Sequence, residues 1–285
     1  MGSPCYLGRT LTSPLKLSEQ DVSKQGGLRG EGATILPAEF RSHTDRVNVA
    51  TKGWRIMNIY LIGCEYAGKT TLAGEIMEWA DQHMGGTRHF HDHFTIPSSE
   101  LSPEAAESYR HAHPQLKEMT QRYVLSYHIS PEMYAGHRDA NLMGHAIEEA
   151  VYAPLYYGYG GKDSQAPFRS PEGQRTQMAR AMEERMLERA PGTVLALLKA
   201  EPEVICQRML DNPNTAEGEP TRGVVQDEDV EHVLQRFEEE FEWSMIGNKI
   251  VLDTTAATVA ETVAEFLEKL EPYLSESDLR RRVTR

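Results

Sequence analysis

From Ile56 onward, short runs of apolar residues alternate with longer amphipathic stretches, the pattern of βαβ units wound around a mostly parallel sheet. The apolar runs predict strands near 56–62, 87–91, 140–145, 193–199 and 249–253. Between them, helical periodicity predicts helices over 69–83, 103–128 with a break at Pro114, 147–157, 171–190, 202–210, 227–246 and 258–270. Ser102-Pro103 and Ser170-Pro171 each offer a capping oxygen followed by a proline suited to the first helical position. In 227–246 the apolar residues Val230, Val233, Leu234, Phe237 and Phe241 share a face, which makes Glu238, Glu239, Glu240 and Glu242 a solvated face and not a metal cluster.

Residues 1–53 show neither period and are rich in Gly, Ser, Thr, Pro and scattered charge, so this stretch is expected to be mostly disordered. Met57-Asn58-Ile59-Tyr60-Leu61-Ile62 reads as the start of a domain, with 1–56 an extension dispensable for the fold and 57–272 the domain itself. Five acidic residues in 1–56 weaken a transit-peptide reading. The basic tail 273–285, with Arg280, Arg281, Arg282 and Arg285, is expected to fray in solvent. No internal repeat is visible.

Composition sharpens this division. Of 285 residues 39% are apolar, enough for a sizeable core. The net charge is −13, yet residues 1–56 carry 8 basic and 5 acidic groups, so the remainder stands at −16. Such a balance argues against a broad nucleic-acid or anionic-membrane surface, and any anionic ligand must be captured by a local site. Cys5, Cys64 and Cys206 have no repeated spacing, which suggests neither a disulfide framework nor a cysteine-rich zinc site. With no apolar run of spanning length and no secretory signal, the chain reads as soluble and cytoplasmic.

The sharpest chemical signal is Gly63-Cys64-Glu65-Tyr66-Ala67-Gly68-Lys69-Thr70, a full G-x-x-x-x-G-K-[ST] phosphate loop. Ile59-Tyr60-Leu61-Ile62 before it and Thr71-Leu72-Ala73-Gly74-Glu75-Ile76-Met77 after it supply the strand and helix that the mechanism needs. Glycines leave successive N–H groups and the helix N-terminus free to converge on phosphate oxygens. Lys69 then neutralises the β- and γ-phosphates, Thr70 completes a Mg²⁺ shell and Thr71 reaches the α-phosphate.

With this loop the chain resembles the P-loop nucleoside and nucleotide kinases, in particular the thymidylate-kinase-like group, over about residues 57–271. The resemblance implies a P-loop NTPase-type, five-stranded parallel sheet flanked by helices, an acceptor site past the second and third strands, and a lid after the fourth. Thr193–Met209, with its Pro202-Glu203-Val204 and Arg208, resembles the family's fourth strand and following helix. By that match Arg208 lies near the nucleotide base and introduces a lid at about 211–223, where Pro213, Gly218, Pro220 and Gly223 fit a flexible connection. The thymidylate kinases' Asp-Arg-Tyr/His and Arg-Glu-Pro-Gly signatures are absent. Met143-Gly144-His145-Ala146-Ile147-Glu148-Glu149 and His91-Asp92-His93-Phe94-Thr95-Ile96-Pro97 stand in their places, which leaves the acceptor open.

By position Asp92 is the candidate to accept a hydrogen bond or proton from the acceptor, against a plain solvated strand-end Asp. Glu148 is a candidate for a water-mediated Mg²⁺ contact, against a glutamate that complements the helix dipole. Phosphoryl transfer needs further cations, and Arg175, Arg180 and Arg222 are the candidates, with Arg175 placed to reach the acceptor and Arg222 supplied by the lid. Nine of eleven histidines fall between His83 and His145, and the alternation of His89, His91 and His93 invites a metal that a strand ending near 91 would not hold in line. Tyr152, Tyr156 and Tyr159 either wall an aromatic base or pack in the core. No Asp-Glu pair follows the fourth strand, as a hydrolytic motor would need, and Asn248-Lys249-Ile250-Val251 breaks the GTPase Asn-Lys-x-Asp.

The expected activity is transfer of the γ-phosphoryl group of ATP, with Mg²⁺, to a small acceptor, a nucleoside or nucleoside monophosphate. A nucleotide-binding switch without kinase activity and a kinase of a non-nucleotide metabolite remain as alternatives. No nucleic-acid or membrane partner is expected, and a homodimer is left open.

Overall fold

The structure, a computed structural model, describes residues 58–84, 89–92, 101–130, 140–161, 174–211, 215–216, 219–220 and 223–282. All belong to one compact unit, Val49–Arg285. The described strands are β1 (Asn58–Ile62), β2 (His89–Asp92), β3 (Ala140–Met143), β4 (Val194–Lys199), β5 (Thr215–Ala216), β6 (Glu219–Pro220) and β7 (Asn248–Asp253). Five of them form one sheet in the order β2-β3-β1-β4-β7, with every neighbouring pair parallel. The central strand β1, Asn-Ile-Tyr-Leu-Ile, is buried along its whole length, as a parallel strand covered on both faces must be. Pairing aligns Asp92, Met143, Leu61, Ala196 and Ile250 in one row across the sheet.

Helices α1 (Lys69–His83), α2 (Pro103–Arg110), α3 (Pro114–His128), α4 (His145–Tyr152), α5 (Gln174–Leu187), α6 (Pro202–Asp211), α7 (Val230–Trp243), α8 (Val259–Leu270) and α9 (Glu276–Arg281) complete the described elements, with a π-helical turn at Ala153–Tyr157. α1 packs on α8 and α4 on both α5 and α7, while α7 lies against β4. α1 buries Leu72, Ala73, Ile76 and Ala80, one apolar stripe at helical spacing. The break expected at Pro114 separates α2 from α3, and Ser102 caps α2 by accepting the Ala105 N–H. α8 begins with a reciprocal capping box between Thr258 and Glu261. The helix expected over 147–157 is α4 continued by the π turn. Pro154 sits at that turn and has no N–H to give the preceding residues, which favours the wider spacing.

Two expectations are corrected. The tail does not fray throughout: Ser275 and Asp278 form a capping box for α9, while Arg281 pairs with Asp278 at 2.5 Å and Arg282 with Glu271 at 2.7 Å. Glu240 is not on the solvated face of α7 but fully buried, held by Thr176, Arg180 and Arg236. In the expected lid, β5 and β6 pair antiparallel as a two-residue ladder. The Ser170-Pro171 helix start lies outside the described residues, and α5 begins at Gln174. Residues 1–56 likewise lie outside them.

Candidate active site

The phosphate loop leaves the end of β1 and enters α1, as its strand and helix flanks require. Gly63 has φ +144°, and a Cβ there would lie 2.2 Å from the Leu198 carbonyl oxygen of β4. Only glycine lets the loop pass that close to the neighbouring strand. Tyr66 adopts a left-handed φ of 63°, a conformation unusual outside glycine and found where a loop is held for function. Cys64 and Ala67 are buried beneath the loop, and Thr70 and Thr71 are exposed on the first turn of α1. Burial pushes the Cys64 thiol up to about 12, although Lys69 acts the other way, so the cysteine is a packing group and not a nucleophile.

Lys69 folds back over its own loop. Its Nζ donates to the Gly63 carbonyl at 2.5 Å and the Cys64 carbonyl at 3.1 Å, and pairs with Glu148 Oε1 at 3.1 Å. Phe237 of α7 lies beneath it, 5.9 Å from the ring centre. Burial disfavours the lysine's charge, but the Glu148 carboxylate, with smaller help from Cys64 and Glu65, more than offsets this and holds its pKa above the ordinary lysine value. Lys69 is therefore a charged group in a largely dehydrated place, its charge held against Glu148 and two loop carbonyls.

Glu148 comes from the first turn of α4, immediately beyond β3. The turn between them is Gly144, with φ +72°, whose N–H donates to the Leu61 carbonyl of β1 at 2.9 Å. A Cβ on Gly144 would stand 2.2 Å from Glu148 Oε2, so the glycine makes the space into which the carboxylate folds. This positions an acid beside the phosphate loop from a strand end that lacks the Asp-Arg signature. Thr70 and Glu148 supply hard oxygen donors of the kind Mg²⁺ takes, and the donor set fits that ion.

Arg208 of α6 lies against the other side of the loop. Nη1 donates to the Tyr66 carbonyl and to Thr254 Oγ1, both at 3.1 Å, and Nη2 to the Thr254 carbonyl at 2.5 Å. Thr254 in turn donates to Ala67 O at 3.1 Å. Arg208 thus joins the phosphate loop to the segment leaving β7, a role for Thr254 that no local motif announces.

Arg175 is placed elsewhere than expected. It is 1% exposed and inserted between α3 and α4, paired with Glu118 and, at 3.5 Å, with Glu149, with its guanidinium 5.1 Å from the centre of the Tyr159 ring. Tyr159 donates to Glu149 at 3.0 Å. Burial raises the Glu149 pKa, while Arg175 and Tyr159 act in the opposite direction. The arginine's charge is committed to two buried glutamates, neither of which sequence reasoning had singled out as its partner. Arg180 likewise engages Glu183 and Glu240.

Tyr152 is buried edge-on against Phe237, and the Tyr156 hydroxyl donates to Asp229 at 2.8 Å. These contacts make the tyrosines internal packing and bonding groups. Asp92 closes β2, its side chain lying outside the described residues, as do the side chains of His89, His91 and His145 and the whole of His93 and Arg222. Among the described residues no cluster of three His, Cys, Asp or Glu could hold a metal, and no helix is long and apolar enough to cross a membrane.

No protein-family model and no curated protein matches the sequence. Among solved structures, a deoxyadenosine kinase from M. mycoides with bound dATP shares 15% identity at a TM-score of 0.47, over 75% of this chain and 100% of its own. A thymidylate kinase from Candida albicans shares 16% at 0.41, over 77% and 93%, and a Janibacter sugar kinase 14% at 0.38, over 78% and 99%. Overlaps this loose say nothing about chemistry, which rests on the loop and sheet described above. The loop between β1 and α1 and the parallel sheet make the fold an α/β one of the P-loop type.

Proposed function

We propose that the protein transfers the γ-phosphoryl group of ATP to a small hydroxyl-bearing acceptor, a nucleoside or nucleoside monophosphate. The observation that carries this reading is Lys69, charged and nearly dehydrated at the mouth of a complete strand–loop–helix phosphate cradle, with Glu148 beside it. The loop from Gly63 to Thr71 binds the phosphates through backbone amides, and Lys69 stabilises the charge that spreads over the transferring group. Thr70, and Glu148 through water, would hold Mg²⁺, which would supply neutralisation of the phosphate charge. Arg208 flanks the base, and Asp92 takes the proton of the attacking hydroxyl. Arg222, next to Gly223 in sequence, is the cation the lid would bring.

The test is ADP release across a panel of nucleosides, nucleoside monophosphates, sugars and small alcohols. Turnover with a nucleoside or nucleoside monophosphate is expected, reduced about 10²–10³-fold in kcat by Lys69→Ala and strongly by Asp92→Asn. ATP binding without acceptor-dependent turnover anywhere in the panel would overturn the proposal.

A further inference from the structure

The third residue of the phosphate loop reaches a part of the chain 160 positions away. Glu65 Oε2 accepts the backbone N–H of Val225 at 3.1 Å. Gly223 comes so close to the same carboxylate that a Cβ there would lie 2.0 Å from Oε2. Val225 is buried, and one residue later the Gln226 N–H donates to the Tyr156 hydroxyl at 3.5 Å, while that hydroxyl donates to Asp229 at 2.8 Å. Residues 223–229 are therefore fastened at one end to the phosphate loop and at the other to the π-helical turn. They lead directly into α7, whose Phe237 lies under Lys69 and edge-on to Tyr152.

A carboxylate held in this way is sensitive to what the cradle contains. Phosphate oxygens gathered on the loop's amides place like charge near Glu65 and disfavour any rotamer that turns it inward. The rotamer seen here, turned onto Val225, is the one that loading reinforces. We propose that Glu65 is a positioning residue that reads occupancy of the phosphate loop and transmits it, through Val225 and the strap 223–229, to α7 and the π turn. The inference rests on the reading of the loop as a nucleotide site. It adds a direction: loading tightens the strap, which carries the chain back from the β5–β6 hairpin into the site.

Amide hydrogen exchange across 223–229, with and without Mg²⁺ and a non-hydrolysable ATP analogue at saturation for each variant, tests it. In the wild type the analogue should slow exchange at Val225 and Gln226 about tenfold. Glu65→Ala should abolish that slowing. Glu65→Gln keeps an oxygen that can accept from Val225 but no charge, so it should restore protection in the empty protein without the nucleotide-dependent increase. Gly223→Ala, which displaces the carboxylate from the opposite side, should reproduce Glu65→Ala and decides the matter if that variant does not fold. Undiminished slowing in Glu65→Ala or Gly223→Ala, or none in wild type at saturation, would overturn the proposal. Calorimetric titration of the wild type with the same analogue is run in parallel. No binding there would remove the nucleotide-site reading itself, whereas binding without a strap response removes only the role of Glu65.

Discussion

Gly144 and Glu148 show how much a single missing Cβ can decide. The turn after β3 has φ +72°, and the carboxylate occupies the space that a side chain on Gly144 would need. Gly144→Ala is expected to cost about 1–3 kcal/mol from a positive-φ backbone that side chains rarely adopt, and to expel Glu148 from its place at Lys69. The measurable signs are a lower denaturant midpoint and a higher Mg²⁺ concentration for half-maximal activity. An unchanged Mg²⁺ titration would show that Glu148 does not serve the metal. At this scale the sequence was legible where chemistry is contiguous: Lys69 and Thr70 follow from eight consecutive residues. It was not legible where the fold makes the neighbourhood, as with Glu65 and Val225 or Arg208 and Thr254.

Between elements, the junction of α3, α4 and α5 depends on Arg175. Arg175→Met would leave Glu118 and Glu149 facing one another in the interior with their principal cation gone, a loss of about 3–5 kcal/mol. The pH dependence gives the sign. The Glu149 pKa is already raised by burial, and removing Arg175 raises it further, so the folded variant holds protons that the unfolded chain releases. Stability attached to such a group is greatest below the unfolded value and is lost as pH rises through the folded one. Urea unfolding should therefore show the deficit of Arg175→Met shrinking from pH 7 toward pH 5. A variant as stable as wild type at pH 7 but catalytically impaired would instead return Arg175 to the acceptor. Periodicity placed α5 correctly, yet it could not show which way one arginine on it points, because that depends on glutamates brought in from two other helices.

For the molecule as a whole, the alternation of apolar runs and amphipathic stretches foretold the strands and helices, because a parallel sheet buried on both faces needs uninterrupted apolar strands such as β1 and β4. The capped end at α9 escaped notice because Ser275 and Asp278 make a short box within a charged tail. The core assembled by β1, α1 and the later elements begins at Asn58. A chain starting at Val49 is accordingly expected to unfold within about 2 °C of the full-length protein, as read by scanning calorimetry, and a larger drop would give the N-terminal residues a part in the fold. The strand order has one more consequence. Asp92 and Leu61 stand in the same row, with Met143 between them. Two steps of about 4.8 Å each separate them, so the sheet is a ruler set at roughly 10 Å between the end of β2 and the strand that launches the phosphate loop. In the proposed reading Asp92 holds the attacking hydroxyl, so this span is what the nucleotide's phosphate chain, extending outward from the loop, has to cross to meet it.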